Sequence, residues 1–286
     1  IDALVWFDFD NTVCTTATIT INGFAASHQG SGVYRITQTS ATVTSVTYNT
    51  VACSSESAYG ITVVDQNSQA TTVIWDRIRI DSLSAVDSRV DINTQILFYA
   101  TASLEFDSHP LGSGDSFTLS GYAFVWSAGN NRFEVTETKT TVTSVTINAF
   151  TSGSEATYGI TAGNINSETI TGIWDRLEFV SVSADDIRIN VGGTFELRYQ
   201  IRYDFDDVTF DNTKGSISGF TWDVANSWWD KSITGSSSVT STTYDETYIT
   251  ILDTTYGITV KEDVAGVSVI TDSIRIDSLS VIDSRI

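Results

Sequence analysis

The 286-residue chain has no methionine, a single proline (Pro110), two cysteines and two histidines, His28 and His109. A chain without methionine even at position 1 reads as a mature product or a fragment, with any signal peptide or envelope anchor outside this segment. One proline leaves no Pro-rich spacer to hinge one part against another. No run of 18 apolar residues occurs, so no stretch reads as a membrane-spanning helix. Positive charge is scarce: 15 Lys and Arg, of which only four are Lys, stand against 35 Asp and Glu, for a net charge of −20. Nucleic-acid phosphates demand a basic footprint, and that balance excludes one. It disfavours an anionic membrane surface as well. Two histidines and no CxxC spacing leave no zinc site, and each histidine reads as a surface residue.

The two cysteines, Cys14 and Cys53, lie in the first third of the chain. Two free thiols and a disulfide both fit. An even pair confined to one region of an acidic, hydroxyl-rich chain suits an oxidising compartment, which favours the Cys14–Cys53 disulfide.

Helical periodicity is also missing, whereas strand alternation is plentiful. Phe195, Leu197, Tyr199, Ile201, Tyr203 and Phe205 alternate with Glu196, Arg198, Gln200, Arg202 and Asp204. Such alternation puts one face in a core and the other in water. The pattern recurs at Ile96 to Phe106 and again at Ala3, Val5, Phe7 and Phe9. Turn clusters such as Gln29-Gly30-Ser31-Gly32 separate further β-rich runs.

These segments belong to a repeat. Trp75-Asp76-Arg77 matches Trp174-Asp175-Arg176 and then Thr271-Asp272-Ser273, at offsets of 99 and 97 residues. Tyr59-Gly60-Ile61-Thr62 recurs at Tyr158 and Tyr256. A period near 100 residues is one immunoglobulin-sized sandwich of about seven strands. The expected architecture is therefore all-β, with three tandem immunoglobulin-like modules at 1–81, 82–180 and 181–277 and a surplus strand at 278–286. Apolar positions flip from even to odd between Ile80 and Leu83, which reads as one strand leaving a sandwich and entering the next near Asp81, Val180 and Asp277. Without a flexible linker, such junctions should be stiff. The recurrent tyrosine sits where a tyrosine corner would lie, or else is a buried aromatic with a satisfied hydroxyl.

On Ile74-Trp75-Asp76-Arg77, Asp87-Ser88-Arg89-Val90, Glu105-Phe106-Asp107 and Thr157-Tyr158-Gly159-Ile160-Thr161, the chain resembles the tandem immunoglobulin-like repeats of large archaeal and bacterial cell-surface proteins. The resemblance implies an extracellular stalk, fibre or surface-coat component with no catalytic residues and no cofactor. Leu4-Val5-Trp6-Phe7-Asp8-Phe9-Asp10-Asn11-Thr12 also resembles the first motif of haloacid-dehalogenase-like phosphatases. That resemblance would make Asp8 a nucleophile and Asp10 an acid/base beside Mg²⁺. The helices and later motifs of such an enzyme are absent, and the repeat already accounts for the segment, so the expectation is a protein that is not an enzyme.

Two further readings concern ligands. Asp204, Asp206, Asp207 and Asp211, with Asp185-Asp186 and Asp87, could hold calcium at module boundaries. The neighbouring Arg89, Arg188, Arg202 and Arg285 offer ion pairing instead. Trp228-Trp229 could form an exposed aromatic patch for carbohydrate, which would make the protein an adhesin, or could be half-buried core edges.

The repeat register also suggests how copies meet. Ile1 aligns with Phe98, so the first module should lack the segment equivalent to 81–97, while 277–286 repeats 81–90 with no module to enter. The expectation is head-to-tail assembly with copies of itself, the alternative being that these ends are a cut in a longer continuous array. Leu279, Val281 and Ile286 would enter a neighbour's groove along Ala3, Val5, Phe7 and Phe9.

Overall fold

A computed structural model describes residues 1–65 and 69–280. Regular structure among them is β-strand throughout, apart from one 3-10 turn at Glu246–Tyr248. Among the described residues no helix is long and apolar enough to cross a membrane. The chain gathers into two compact units. One joins Ile1–Ser82, Ala100–Phe133 and Ala149–Glu168; the other joins Leu83–Tyr99, Glu134–Asn148 and Thr169–Ile286.

In the first unit, β1 (Asp2–Leu4) is an edge strand paired antiparallel with β2 (Val33–Arg35), Ala3 opposite Tyr34. Apolar faces of this unit enclose Ile19, Ile21, Tyr34, Ile36 and Tyr48, with Ala3 and Val5 packed against them. β3 (Thr44–Tyr48) pairs antiparallel with β4 (Thr71–Trp75), a two-stranded sheet among the described residues. Ser116–Leu119 runs between Tyr122–Ser127 and Phe150–Ser154 in the same unit.

The second unit contains β5 (Arg89–Asp91), β6 (Thr143–Ile147) and β7 (Ile170–Asp175), with β7 between a parallel β5 and an antiparallel β6. A complete sandwich follows. β8 (Leu177–Ala184) pairs with β10 (Thr194–Tyr203), β10 with β13 (Trp228–Thr234), and β13 with β12 (Thr221–Asp223). On the other face β16 (Val267–Asp272) lies between β9 (Arg188–Asn190), parallel to it, and β14 (Thr240–Tyr244). β11 (Gly215–Ile217) pairs with β15 (Ile251–Asp253) in a separate two-stranded ladder. A β8–β10–β13–β12 sheet facing a β9–β16–β14 sheet is a two-sheet immunoglobulin-like sandwich.

Alternation in β10 puts Phe195, Leu197, Tyr199, Ile201 and Tyr203 into the core of this sandwich. Burial of side chains this size stabilises by roughly 1.5–3 kcal/mol each. Phe205 does not continue the pattern and is exposed, as are Phe106 and Phe9. At all three places the chain turns two residues early. Asn11, Ser108 and Asp207 donate N–H to Phe7, Leu104 and Tyr203 at 3.0, 2.9 and 3.1 Å. Each of these donors has positive φ: 56°, 60° and 59°. The expected inward Phe9 is thus corrected to a fully exposed turn residue.

Candidate functional site

The most elaborate polar site lies around Arg89 in the second unit. Pairing of β5 with β7 sets Arg89 beside Ile173 and so within reach of Asp175. Its Nε donates to Asp175 Oδ2 at 2.9 Å, and Nη1 and Nη2 donate to the two carboxylate oxygens of Asp206 at 2.8 and 3.0 Å. The guanidinium lies 4.6 Å from the Tyr203 ring centre and 4.5 Å from that of Tyr256. Those two rings meet edge-on at 5.3 Å. The Asp175 side chain is 0 % exposed and that of Arg89 5 %. Burial works against the charge on Arg89, but its bonds to Asp206 and Asp175 prevail and hold the group more firmly protonated than usual. The same guanidinium draws the Asp206 carboxyl below its usual range.

Asp175 Oδ1 completes the site by accepting N–H from Arg176 and Phe205, both at 2.9 Å. Asp91 Oδ1 accepts the N–H groups of Thr259 and Val260 at 2.8 and 2.9 Å. The next strand starts as Leu177 N donates to Val260 O at 2.9 Å. Arg89, Asp175, Arg176, Phe205, Asp206, Tyr256 and Thr259 in this knot come from repeated motifs: Asp-x-Arg, Trp-Asp-Arg, Phe-Asp and Tyr-Gly-Ile-Thr. The first unit repeats part of it. Asp76 Oδ1 accepts N–H from Arg77 and Phe106 at 2.8 and 2.9 Å, and Arg77 pairs with Glu105.

Elsewhere pieces of the knot stand apart. In the second unit Arg188 reaches Asp272 Oδ2 through Nε and Nη2 at 3.0 and 2.6 Å, but its side chain is 68 % exposed. In the first unit Phe7 and Tyr59 meet edge-on at 5.2 Å, as Tyr203 and Tyr256 do. The recurrent tyrosines are not corners: Tyr59, Tyr158 and Tyr256 are exposed. The tyrosines that bond as a buried phenol should are others, Tyr199 to Asp245 O and Tyr203 to Asp253 Oδ1. An acid three residues before each recurrent tyrosine shapes its turn, as Glu56 and Glu155 accept the N–H groups two and three residues on.

The expected acceptor residues Ala3, Val5 and Phe7 are half-buried on one face of the first unit. An open cleft of about 480 Å³ on the same unit is lined by Ile1, Arg35, Ile36, Thr71, Val73 and Trp75 among others, and by none of Ala3, Val5 and Phe7. Of the expected donor residues, Leu279 is almost fully exposed, while Val281 and Ile286 lie outside the described residues.

Cys14 and Cys53 are not bridged, contrary to expectation. Cys14 is buried, with its N–H on Val5 O, whereas Cys53 lies opposite Ile19 with Sγ directed at the carbonyls of Ser55 and Ile61. Of the carboxylates weighed for calcium, Asp204, Asp206 and Asp207 pair with Arg176, Arg89 and Arg202, and Asp211 with Lys214. Trp229 is buried with its indole N–H on Phe210 O, and half-buried Trp228 lies beneath Arg198, so the pair forms no exposed platform. Asp8 is exposed, and Asp10 caps its own turn through the N–H and hydroxyl of Thr12.

No protein-family model matches the chain, and no curated protein matches it. Among solved structures it is similar to the Escherichia coli adhesin FdeC, at 12 % identity and a TM-score of 0.32 over 96 % of this chain and 88 % of that one. The D0–D1 domain of intimin matches at 16 % identity and TM-score 0.22, over 68 % and 99 % of the two chains. The Yersinia pseudotuberculosis adhesin InvE matches at 14 % and 0.23, over 69 % and 59 %. Overlap this loose carries no functional residue across, so the reading below rests on the geometry.

Proposed function

We propose that the protein is the subunit of an extracellular filament or stalk, joined head to tail by adding the strand after Asp272 to the open edge of a neighbour's first unit. One observation carries this reading. Ile78, Ile80, Leu177 and Phe179 are at most 6 % exposed, while the residues at the same place in the third repeat, Ile274 and Ile276, are 97 % and 78 % exposed. Leu279 is bare too, though its counterparts Leu83 and Val182 are buried or half-buried. Residues 273–280 form no strand of their own, and a segment that leaves this apolar side bare is favoured in a groove that covers it.

The groove is on the first unit. The pairs Leu177↔Tyr203, Phe179↔Ile201 and Val182↔Tyr199, moved by the repeat, set Ile274 opposite Phe7, Ile276 opposite Val5 and Leu279 opposite Ala3. β7 and β16 each carry a parallel strand, whereas β4 has none among the described residues. Arg285 and Ile286 occupy the repeat positions of Arg89 and Val90 and lie outside the described residues. Main-chain bonds then supply affinity and alternate side chains supply register. Donor and acceptor surfaces differ, so the contact propagates instead of closing. The acidic, lysine-poor composition supports an extracellular setting, and the work is mechanical, with no reaction assigned to any residue.

Negative-stain imaging and light scattering test it. Wild-type chains should polymerise, deletion of 277–286 should leave monomers, and a peptide of residues 273–286 should cap growing ends. Wild-type chains that stay monomeric at high concentration, or a truncated protein that polymerises undiminished, would refute it.

A further inference from the structure

We infer that Arg188 of one copy locks this joint by entering a socket formed by Phe7, Phe9, Asp10 and Tyr59 of the next. The inference rests on the head-to-tail reading and names the side chains that hold the two copies together.

The occupied socket is already visible within one unit. Arg89 uses Nε and Nη2 on Asp175 and Nη1 on Asp206, with Tyr203 and Tyr256 against the guanidinium and Phe205 at 6.0 Å. Arg188, 99 residues on, makes the first half of that set: Nε and Nη2 lie on Asp272 Oδ2. Its Nη1, the atom that in Arg89 reaches Asp206, meets no carboxylate among the described residues. Arg188 is therefore held in the clamping pose by β9 and β16, with its second face open to solvent.

The first unit offers the second half. Phe7, Phe9 and Asp10 stand where Tyr203, Phe205 and Asp206 stand in the repeat, and Tyr59 stands where Tyr256 does. The ring pair is preformed, at 5.2 Å and 84° against 5.3 Å and 74°. Asp10 and Asp206 each accept the N–H two residues on, which fixes the carboxylate and leaves oxygen free for a guanidinium. Phe9 and Tyr59 are exposed, and no arginine touches them among the described residues.

Two further matches come from the same register. Asp272 Oδ1 holds Ser273 N at 2.8 Å, as Asp76 holds Arg77 N and Asp175 holds Arg176 N, and in both of those cases a second N–H comes from Phe106 or Phe205. Phe9 N of the neighbour is the corresponding donor for Asp272. Asn190 takes the place of Asp91, so its side-chain oxygen would accept the N–H of Thr62 or Val63 as Asp91 accepts Thr259 and Val260. Charge points the same way. Two chains of net charge −20 repel, and a cation presented to an acid and two rings reverses that locally.

The test measures end-to-end association of the full chain by sedimentation for Arg188→Ala, Asp10→Ala, their double variant and the 277–286 deletion, with circular dichroism as a check on folding. Loss of a charged hydrogen bond at the joint should weaken association about ten- to hundred-fold in either single variant. The double variant should be little worse than either, because both remove one contact. Arg188→Lys should recover only part, since an ammonium cannot fork between two carboxylates. If the deletion abolishes association while Arg188→Ala and Asp10→Ala match wild type, or if their effects simply add, the clamp is wrong and strand addition stands. If wild-type chains never associate, the head-to-tail reading falls, and the clamp with it.

Discussion

Arg89→Ala and Arg188→Ala remove the same side chain from the same repeat position, and the structure assigns them very different costs. The Arg89 and Asp175 side chains are 5 % and 0 % exposed, while those of Arg188 and Asp272 are 68 % and 33 % exposed. Without Arg89, Asp175 keeps two backbone N–H donors on Oδ1, but Oδ2 loses its bonds in a site that water does not reach. Breaking a buried pair by removing one partner costs about 3–5 kcal/mol, chiefly because the remaining charge is stranded. Contact with the Tyr203 and Tyr256 rings adds roughly 0.5–1 kcal/mol or more for each ring. Arg188→Ala, measured on monomers, should cost under about 1 kcal/mol, the range of exposed ion pairs. Urea unfolding followed by tryptophan fluorescence suits the comparison, because Trp174 adjoins Asp175 and Trp229 lies in the neighbouring sandwich core. Arg89→Lys should fall between, since one ammonium cannot bond Asp175 and Asp206 in a planar fork. A loss below about 1 kcal/mol for Arg89→Ala, or equal losses at the two positions, would show that burial does not set the strength of this site.

Glu56 makes an acid-side prediction. The Thr16 hydroxyl, with help from the N–H groups of Ala58, Tyr59 and Gly60, outweighs its desolvation and lowers its pKa from 4.5 to about 2. A folded pKa below the unfolded one gives stability that is present above pH 4.5 and lost as pH falls towards 2. Glu56→Gln should flatten that part of the acid unfolding curve, and an unchanged curve would count against the assignment. Thiol titration of the unfolded, unreduced protein should find two reactive groups per chain, because Cys14 and Cys53 are free; none would mean a disulfide. Gly215→Ala should destabilise the second unit by at least about 1–3 kcal/mol. A methyl group there would sit 2.1 Å from Leu252 O, which belongs to the strand paired with it, so a neutral effect in denaturant titration would refute the close approach.

Strand content and core faces were legible because period-2 alternation is a direct image of the pleat, and β10 buries five of the six residues so assigned. Phe205 failed because the chain leaves the strand through a positive-φ turn at Asp207, a departure that hydrophobicity does not encode. Trp75-Asp76-Arg77 and Tyr59-Gly60-Ile61-Thr62 were visible as repeats, but their purpose was not. The acid of the first accepts backbone N–H groups of its own and a later turn, and the tyrosine of the second is exposed instead of closing a corner, lying against an arginine in the repeat at Tyr256. Acid–arginine pairing was within reach of composition alone. Which arginine takes which acid was not, since Arg89 and Asp206 are far apart in sequence and meet only through parallel pairing of β5 with β7. The cysteine expectation failed for a related reason: compartment chemistry favours a bridge, but Cys53 sits in a strand that directs its sulfur to local carbonyls.

Repetition makes each junction comparable with the others in a way that a single module is not. In an array of like units, each junction is a reference for the next, so a residue buried at one and bare at another marks a position that a covering segment would fit. Ile274, Ile276 and Leu279 on one unit, and Phe9, Tyr59 and Val63 on the other, are bare where their counterparts at the junction around Arg89 are engaged. Simple surface apolarity would scatter such residues without regard to register. Instead each falls at a position whose partner is identifiable, and the partners of the first group are found next to the second. Mutual completion of this kind is what a heterologous, self-propagating contact requires. It predicts that Leu279→Asp, a fully exposed substitution in the monomer, leaves monomer stability within about 0.5 kcal/mol of wild type while abolishing polymerisation. Equal polymerisation of the variant would mean that the bare strand has no groove to fill.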